Sequence, residues 1–170
     1  PYAGLDCNTY TYVEKCETPS GETRFVKRAC MHCLNPGCVA ACPVGALHKT
    51  PEGPVVADTS KCIGCRYCQY ACPFGVPKFE WESTLGVMRK CTSCLERLEH
   101  GQQPACAANC PTGALEFGRR GALLKMAHAR IAAHHDHYVP RVYGETEAGG
   151  TARLYISDVP FEEVDLPALD

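Results

Sequence analysis

The stretch that decides the fold is Cys62-Ile63-Gly64-Cys65-Arg66-Tyr67-Cys68-Gln69-Tyr70-Ala71-Cys72-Pro73. It reads C-x2-C-x2-C-x3-C-P, so four thiols come from one short loop. A related run lies on each side of it. The upstream run, Cys30, Cys33, Cys38 and Cys42-Pro43, reads C-x2-C-x4-C-x3-C-P, and the downstream run, Cys91, Cys94, Cys106 and Cys110-Pro111, has a longer middle spacer. These three runs of four hold all but two of the 14 cysteines.

The first and third runs also share the residues that follow their last cysteine. Cys42-Pro43-Val44-Gly45-Ala46-Leu47 and Cys110-Pro111-Thr112-Gly113-Ala114-Leu115 differ at one position. Matching segments at a fixed offset are typical of internal duplication. The chain is therefore predicted to contain repeated structural units.

The spacing of the middle run is the one found in bacterial ferredoxins, where such cysteines hold 4Fe-4S clusters. Structural zinc is the main alternative, because Cys91-x2-Cys94 with Cys106 and Cys110 alone would suit a zinc ribbon. Against zinc, the middle run packs more thiols into one loop than a tetrahedral ion requires. Disulfides are disfavoured, because cysteines two or three residues apart rarely bridge well.

Ligand sets follow from the rule that paired ferredoxin runs exchange their last cysteine. This predicts one cluster on Cys30, Cys33, Cys38 and Cys72, and a second on Cys62, Cys65, Cys68 and Cys42. A third would use Cys91, Cys94 and Cys106, with its fourth ligand either Cys110 or a cysteine upstream of residue 1. In the upstream case Cys110 would serve a fourth cluster. Since the chain starts at Pro1 rather than Met, we expect a trimmed or partial chain.

Composition excludes several functional classes. With a net charge of −2, the chain lacks the excess of basic residues that binds a phosphate backbone, so nucleic acid is not an expected partner. No run of 18 or more apolar residues is present, so no direct membrane span is expected. Because the sequence also lacks a nucleophile elbow, a Walker loop and a dinucleotide fingerprint, we expect no catalytic residues.

The predicted fold is a small α+β fold of the bacterial ferredoxin type, duplicated and stapled by clusters. Alternating residues within 1–29 predict two strands joined at Pro19-Ser20-Gly21, and residues 46–57 predict a hairpin. Short helices are expected after each Cys-Pro pair, and one longer helix over 120–134. An extended docking tail, which needs another surface to lie on, should follow Pro140. The expected units are 1–29, a two-cluster ferredoxin unit 30–90, half of a second unit 91–118, and a helix with tail 119–170.

Several residues outside the ligand sets have more than one interpretation. Cys7 and Cys16 are expected to be unligated, and the histidines at 128, 134, 135 and 137 to form a solvated helix end. His32 is interpreted as a hydrogen-bond donor near a cluster rather than a ligand. Positive charge near a cluster stabilises its reduced state, so the basic residues beside the runs could raise potentials or be ordinary surface charge: Arg28, Lys61, Arg66 and Lys90.

The middle run C-I-G-C-R-Y-C-Q-Y-A-C-P-F-G-V-P-K, preceded by F-V-K-R-A-C-M-H-C and followed by C-T-S-C, resembles the iron-sulfur electron-transfer (beta) subunit of membrane-associated respiratory oxidoreductases. The segments V-Y-G-E-T-E-A-G-G-T at 142–151 and V-P-F-E-E-V-D-L-P at 159–167 are similar to the uptake nickel-iron hydrogenase iron-sulfur subunit. The formate dehydrogenase beta subunit and other molybdopterin oxidoreductase iron-sulfur subunits are similar as well.

This resemblance implies four cubane clusters, with one ferredoxin unit inserted in the other. It implies a non-catalytic subunit that passes electrons between a large catalytic subunit, of hydrogenase or molybdopterin type, and an integral membrane quinone-reacting subunit. It also implies a membrane-associated complex on the periplasmic face, with the cytoplasmic face left open. The alternative function is a zinc-stabilised structural or interaction subunit without a redox role.

Overall fold

The computed structural model describes residues 4–169. Within them, regular structure consists of three two-stranded antiparallel sheets and short helices joined by loops. The strands are β1 Thr11–Glu17, β2 Thr23–Ala29, β3 Leu47–Lys49, β4 Val55–Ala57, β5 Lys78–Phe79 and β6 Met88–Arg89. The helices are α1 Gly37–Ala40, α2 Tyr67–Tyr70, α3 Leu95–Glu99, α4 Ala105–Ala108 and α5 Arg120–Ala133, with 3-10 turns at Glu147–Gly149 and Phe161–Val164.

The N-terminal hairpin has the predicted position. β1 pairs with β2 in a register that sets Thr11 opposite Ala29 and Glu17 opposite Thr23. The turn is closed by the Gly21 amide, which donates to the Thr18 carbonyl at 2.8 Å. The predicted hairpin within 46–57 is also present as β3–β4, and α5 matches the predicted helix over 120–134 to within one residue.

The short helices were placed wrongly by the sequence. They precede the last cysteine of their runs: α1 ends at Ala40, α2 at Tyr70 and α4 at Ala108. The reason is the proline after that cysteine, because the residue before a proline is forced out of helical geometry and the helix must end earlier. Turns follow each Cys-Pro pair instead.

The first two runs build one repeated unit of cysteine loop, short helix, Cys-Pro turn and hairpin. The first copy ends in β3–β4 and the second in the small β5–β6 hairpin, which the sequence did not predict. α1 and α2 pack against each other. A Cβ added to Gly37 would lie 3.0 Å from the Ala71 carbonyl oxygen, so glycine allows this close approach.

The segment after Pro140 packs on the chain's own hairpin. Its side chains join those of the hairpin and the first cysteine loop in one core, formed by Cys16, Met31, Tyr143, Phe161, Val164 and Leu166. Its backbone also bonds the first loop, since Ala152 donates to the Met31 carbonyl at 3.1 Å and Leu34 donates to the Gly150 carbonyl at 2.9 Å. The surface on which the tail lies is thus within this chain.

A second core lies under the first two cysteine runs. It contains Leu47, Val55, Cys68, Phe79 and Met88, with Cys38, Cys42 and Cys62 packed against it. The division of the chain at 29, 90 and 118 stays a prediction. Residues 1–3, residue 170 and the expected upstream run lie outside the described residues.

Candidate metal centres

One cavity collects the four residues predicted for the first cluster. Cys30, Cys33 and Cys38 line it together with Cys72, which arrives from the neighbouring run at the end of α2. The rest of the wall is mostly apolar and is formed by Met31, Pro36, Val55, Phe74, Val76, Pro77 and Lys90. The structure therefore brings the predicted set together across two runs.

A second cavity collects the four residues predicted for the second cluster. Cys62, Cys65 and Cys68 line it with Cys42, so the exchange of last cysteines is reciprocal. The other lining residues are Val44, Ala46, Leu47, Ala57, Ile63, Arg66, Phe79 and Met88. Cys65 is exposed and Cys68 is buried, so one side of this site faces outward.

The thiols within each set perturb one another. Burial, together with the neighbouring Cys30, Cys72 and Cys38, raises the pKa of Cys33 to about 11. Burial likewise raises the pKa of Cys68 to about 12, with contributions from Cys38, Cys62, Cys65 and Cys42. Because crowded buried thiolates repel one another, such a set needs cationic metal to hold it in the ionised state.

Backbone amides compensate part of the negative charge on the cysteine sulfurs. The sulfurs accept hydrogen bonds from nearby N–H groups: His32 to Cys30 at 3.4 Å, Ala46 to Cys42 at 3.2 Å, Met88 to Cys62 at 3.5 Å, and Ser93 to Cys91 at 3.3 Å. The third residue of each run has a positive φ, namely His32 at 48°, Gly64 at 69° and Ser93 at 56°. The three loops thus share a positive φ at this position, and in the first and third loops the amide of that residue donates to the first cysteine of the run.

The third set is partly assembled. Burial, and to a smaller extent Arg153, lowers the pKa of Lys27, whereas Cys106, Cys91 and Cys94 oppose this effect, so all three thiols lie in the neighbourhood of one ammonium group. Lys27 is itself buried. These three are the residues predicted to share a third cluster.

Cys110 is held by its own loop. Its Sγ lies 3.5 Å from Thr112 Oγ1. That hydroxyl has the largest effect on the pKa of the Cys110 thiol. Together with the amides of Leu115, Thr112 and Ala114, it lowers that pKa to about 7. The matching amides after Cys42 outweigh the effect of burial and lower that pKa as well.

The three sets lie next to one another in a definite order. Cys38 of the first set raises the pKa of Cys68 in the second. On the other side, Cys30 of the first set raises the pKa of Cys91, after the larger effect of burial. Lys90, in the wall of the first cavity, donates to the Cys91 carbonyl at 3.1 Å, so the first set adjoins the third set as well as the second.

The spacing of the sulfurs fits a cluster better than a single zinc ion. Tetrahedral zinc with Zn–S bonds of about 2.3 Å needs sulfurs about 3.8 Å apart. Among residues 4–169, three or more metal-donor atoms come within 4.8 Å of one another in one group only, Glu14, Cys16 and Asp165. No three sulfurs of a predicted set are that close, so each set leaves room for a multi-iron core. All 14 cysteines lie in the described range and none forms a disulfide.

The group of Glu14, Cys16 and Asp165 was not predicted from the sequence. Arg28 lies against two members of this group, because its guanidinium donates to a Glu14 carboxylate oxygen and lies 3.9 Å from Cys16 Sγ, and it also donates to the Val164 carbonyl. A cation of the protein already balances these acceptors. We therefore interpret the group as an ion-pair network that joins the hairpin to the tail.

Comparison with known proteins agrees with this geometry. A family model described as a 4Fe-4S dicluster domain matches residues 22–120. The chain is 40% identical to the hydrogenase-2 operon protein HybA of Escherichia coli O157:H7, over 94% of this chain and 56% of that protein. It is 37% identical to the iron-sulfur subunit of the nitrate-inducible formate dehydrogenase of E. coli K12, over 91% of this chain and 54% of that subunit.

A third relative, a polypeptide of the anaerobic dimethyl sulfoxide reductase of E. coli K12, is 44% identical over 64% of this chain and 52% of its own length. The chain thus spans little more than half the length of these relatives. The resemblance to respiratory iron-sulfur subunits, the ferredoxin-like fold and the 4Fe-4S cofactors predicted from the sequence are confirmed. The family model covers more than half of the sequence, and the chain belongs to the 4Fe-4S dicluster domain family.

Proposed function

We propose that this chain relays single electrons through a row of 4Fe-4S clusters as a non-catalytic subunit of an oxidoreductase complex. The observation that carries the proposal is that the first cysteine set adjoins both of the others. It exchanges its last cysteine with the second set, and Lys90 in its cavity wall donates to the carbonyl of Cys91 in the third set. A row of adjacent redox sites suits electron transfer, because each step then crosses a short distance. The names of the relatives, which include an iron-sulfur subunit, support the same role.

The proposed ligands are the cysteines that each cavity collects. Cys30, Cys33, Cys38 and Cys72 would hold cluster one, and Cys62, Cys65, Cys68 and Cys42 cluster two. Cys91, Cys94 and Cys106 would hold cluster three, with the fourth ligand from Cys110 or from upstream, and in the latter case Cys110 belongs to a fourth cluster.

A bound cluster supplies one-electron chemistry in which no bond to a substrate forms. The chain's own residues hold the sulfurs, exclude water and compensate charge. Val55, Phe79 and Met88 are buried beside the first two sets and keep the sites dry. The backbone amides at His32, Ala46, Met88 and Ser93 donate to ligand sulfurs and stabilise their negative charge.

The proposed partners are a large catalytic subunit of hydrogenase or molybdopterin type and an integral membrane quinone-reacting subunit. Relatives named for hydrogenase-2, formate dehydrogenase and dimethyl sulfoxide reductase support a catalytic partner. In the described part of the chain, no helix has both the length and the apolar character required to cross a bilayer. We place the complex at the membrane, on its periplasmic face.

The test is to count iron and acid-labile sulfide per copy of this chain in the complex purified without oxygen, after subtracting the metal content of the catalytic subunit purified by itself. About eight, twelve or sixteen irons would correspond to two, three or four cubanes. A colourless, zinc-loaded preparation would support the structural alternative and contradict the relay. Substrate turnover by this chain purified alone, with artificial electron donors, would also contradict it.

A single substitution tests one of the proposed ligands directly. Cys65→Ser removes an exposed proposed ligand of cluster two and should lower the iron content or alter one electron paramagnetic resonance (EPR) signal. Cys7→Ser is the matched control, because Cys7 lies outside the three runs and lines neither cavity. Equal iron content and identical spectra for both variants would show that Cys65 is not a ligand.

A further inference from the structure

Arg66 lies in the wall of the second cavity, directly between the proposed ligands Cys65 and Cys68 in sequence. Its backbone is left-handed, with φ 68° and ψ 4°, and it caps the start of α2. A non-glycine residue in this region is uncommon and costs conformational energy.

Aromatic rings hold the guanidinium group in place. Its central carbon lies 3.8 Å from the centroid of the Trp81 ring and 5.9 Å from that of Phe79. Cation–π contacts of this kind fix an arginine without using its N–H groups. Phe79 is buried in the core beneath the site, so the platform is anchored.

The Nε atom of Arg66 is buried and has no hydrogen-bond partner within residues 4–169. Buried N–H groups without a partner are rare, because each costs the free energy of a lost hydrogen bond. Nε–H belongs to a residue that lines the same cavity as four cysteines. The natural acceptor in that cavity is sulfur.

We propose that the Nε–H group of Arg66 donates a hydrogen bond to a sulfur atom of the cluster held by Cys62, Cys65, Cys68 and Cys42, and that it raises the reduction potential of that cluster. The inference rests on the proposed function of this site. Reduction adds one electron to the cluster and increases the negative charge on its sulfurs, so a donor stabilises the reduced state more than the oxidised state. Trp81 acts as a positioning residue that holds the guanidinium group in reach.

The experiment is an EPR-monitored redox titration of the intact complex. The signal that Cys65→Ser alters identifies the titration of cluster two. Arg66→Met removes charge and donor and should shift the reduction equilibrium of this cluster about tenfold toward the oxidised form, which is about 59 mV for one electron. Arg66→Lys keeps the charge but loses the planar donor, and it should shift the equilibrium in the same direction by a smaller factor.

Lys61→Met is the matched control, because Lys61 precedes the ligand Cys62 but its side chain is 61% exposed and pairs with Asp58. We expect it to leave the potential unchanged. Trp81→Leu removes the stacking platform at an exposed position and should lower the potential as Arg66→Lys does.

Iron and sulfide counts on each variant separate this inference from the proposed function. A full count with a wild-type potential in Arg66→Met overturns the inference and leaves the relay intact. If Arg66→Met loses iron, Arg66→Lys and Trp81→Leu carry the test, and wild-type potentials in both overturn it. An equal shift in Lys61→Met overturns it too, since general surface charge would then account for the effect.

Discussion

At the scale of single residues, the two ring nitrogens of His32 differ in their hydrogen bonding. Its Nδ1 accepts a hydrogen bond from the Val55 amide at 2.9 Å, so this nitrogen carries no proton and Nε2 keeps its hydrogen. Nε2 is buried without a partner in the described chain. Lys90 Nζ bonds both the Val55 carbonyl and the Cys91 carbonyl. His32 is thus linked through Val55 to Lys90, which lines the first cavity and contacts Cys91, and we expect Nε2–H to face a cluster sulfur near this point.

Two substitutions separate the functions of the two ring nitrogens. His32→Asn can still accept from Val55 but is too short to reach the Nε2 position, and it should shift the reduction equilibrium of cluster one or three up to about tenfold, or 59 mV, toward the oxidised form. His32→Gln reaches the Nε2 position and should keep the potential. Redox titration followed by EPR measures both. A shift in the glutamine variant alone would mean that only the Val55 contact matters.

The sequence indicated which cysteines line each of the first two cavities, because the rule for paired ferredoxin runs assigns the last cysteine of each run to the other run. It could not predict which basic residues act on a site. Arg66 and Lys61 look alike in the sequence, yet one has a buried nitrogen in the cavity wall and the other an exposed ion pair. That difference depends on Trp81 and Phe79, which lie more than ten residues away.

At the scale of elements, the tail after Pro140 holds the first cysteine loop in place through hydrogen bonds. Arg153 donates to the Cys30 carbonyl at 3.3 Å, and the Tyr155 hydroxyl donates to the Lys27 carbonyl at 2.8 Å. Behind these contacts, the Phe161 ring is fully buried against Tyr143, with 5.2 Å between centroids. The tail thus supports the loop that carries Cys30.

Phe161→Ala tests whether packing of the tail holds the first cysteine loop in place. Truncation of a fully buried phenylalanine costs about 3–5 kcal/mol of the free energy of unfolding. We expect faster proteolysis within 139–167 and faster loss of iron from the oxygen-free protein, measured by absorbance. Phe25→Ala is the control, because Phe25 lies on β2 with 70% of its surface exposed. If both variants are digested equally, the tail does not depend on this core.

Elements with local signals were predicted, and those with long-range contacts were not. The β1–β2 and β3–β4 hairpins have alternating residues and turn signals, and α5 has helical spacing. The β5–β6 hairpin has two residues per strand, too few for periodicity. The docking of the tail depends on pairs such as Arg24 and Asp158, which are 134 positions apart and carry no local pattern.

At the scale of the whole molecule, the two cores differ in their dependence on metal. The core of Cys16, Tyr143, Phe161 and their neighbours contains residues of the hairpin, the tail and the first loop, but its largest side chains are ordinary apolar groups. The core under the first two runs contains Cys68 and packs against Cys38, Cys42 and Cys62. Repulsion among the thiols opposes that second core unless metal is bound.

Iron removal should therefore unfold the chain unevenly. Chelation under reducing conditions without oxygen is expected to abolish amide protection over 30–118, because metal binding and folding are coupled in modules of this kind. Protection over the hairpin, residues 11–29, should fall less, since its strands hold each other through a complete ladder. Hydrogen exchange read by mass spectrometry on holo and iron-free protein measures both regions. Native-like protection over 30–118 in the iron-free form would show that apolar packing alone maintains the cysteine loops, and uniform loss over both regions would show that the hairpin depends on the clusters as well.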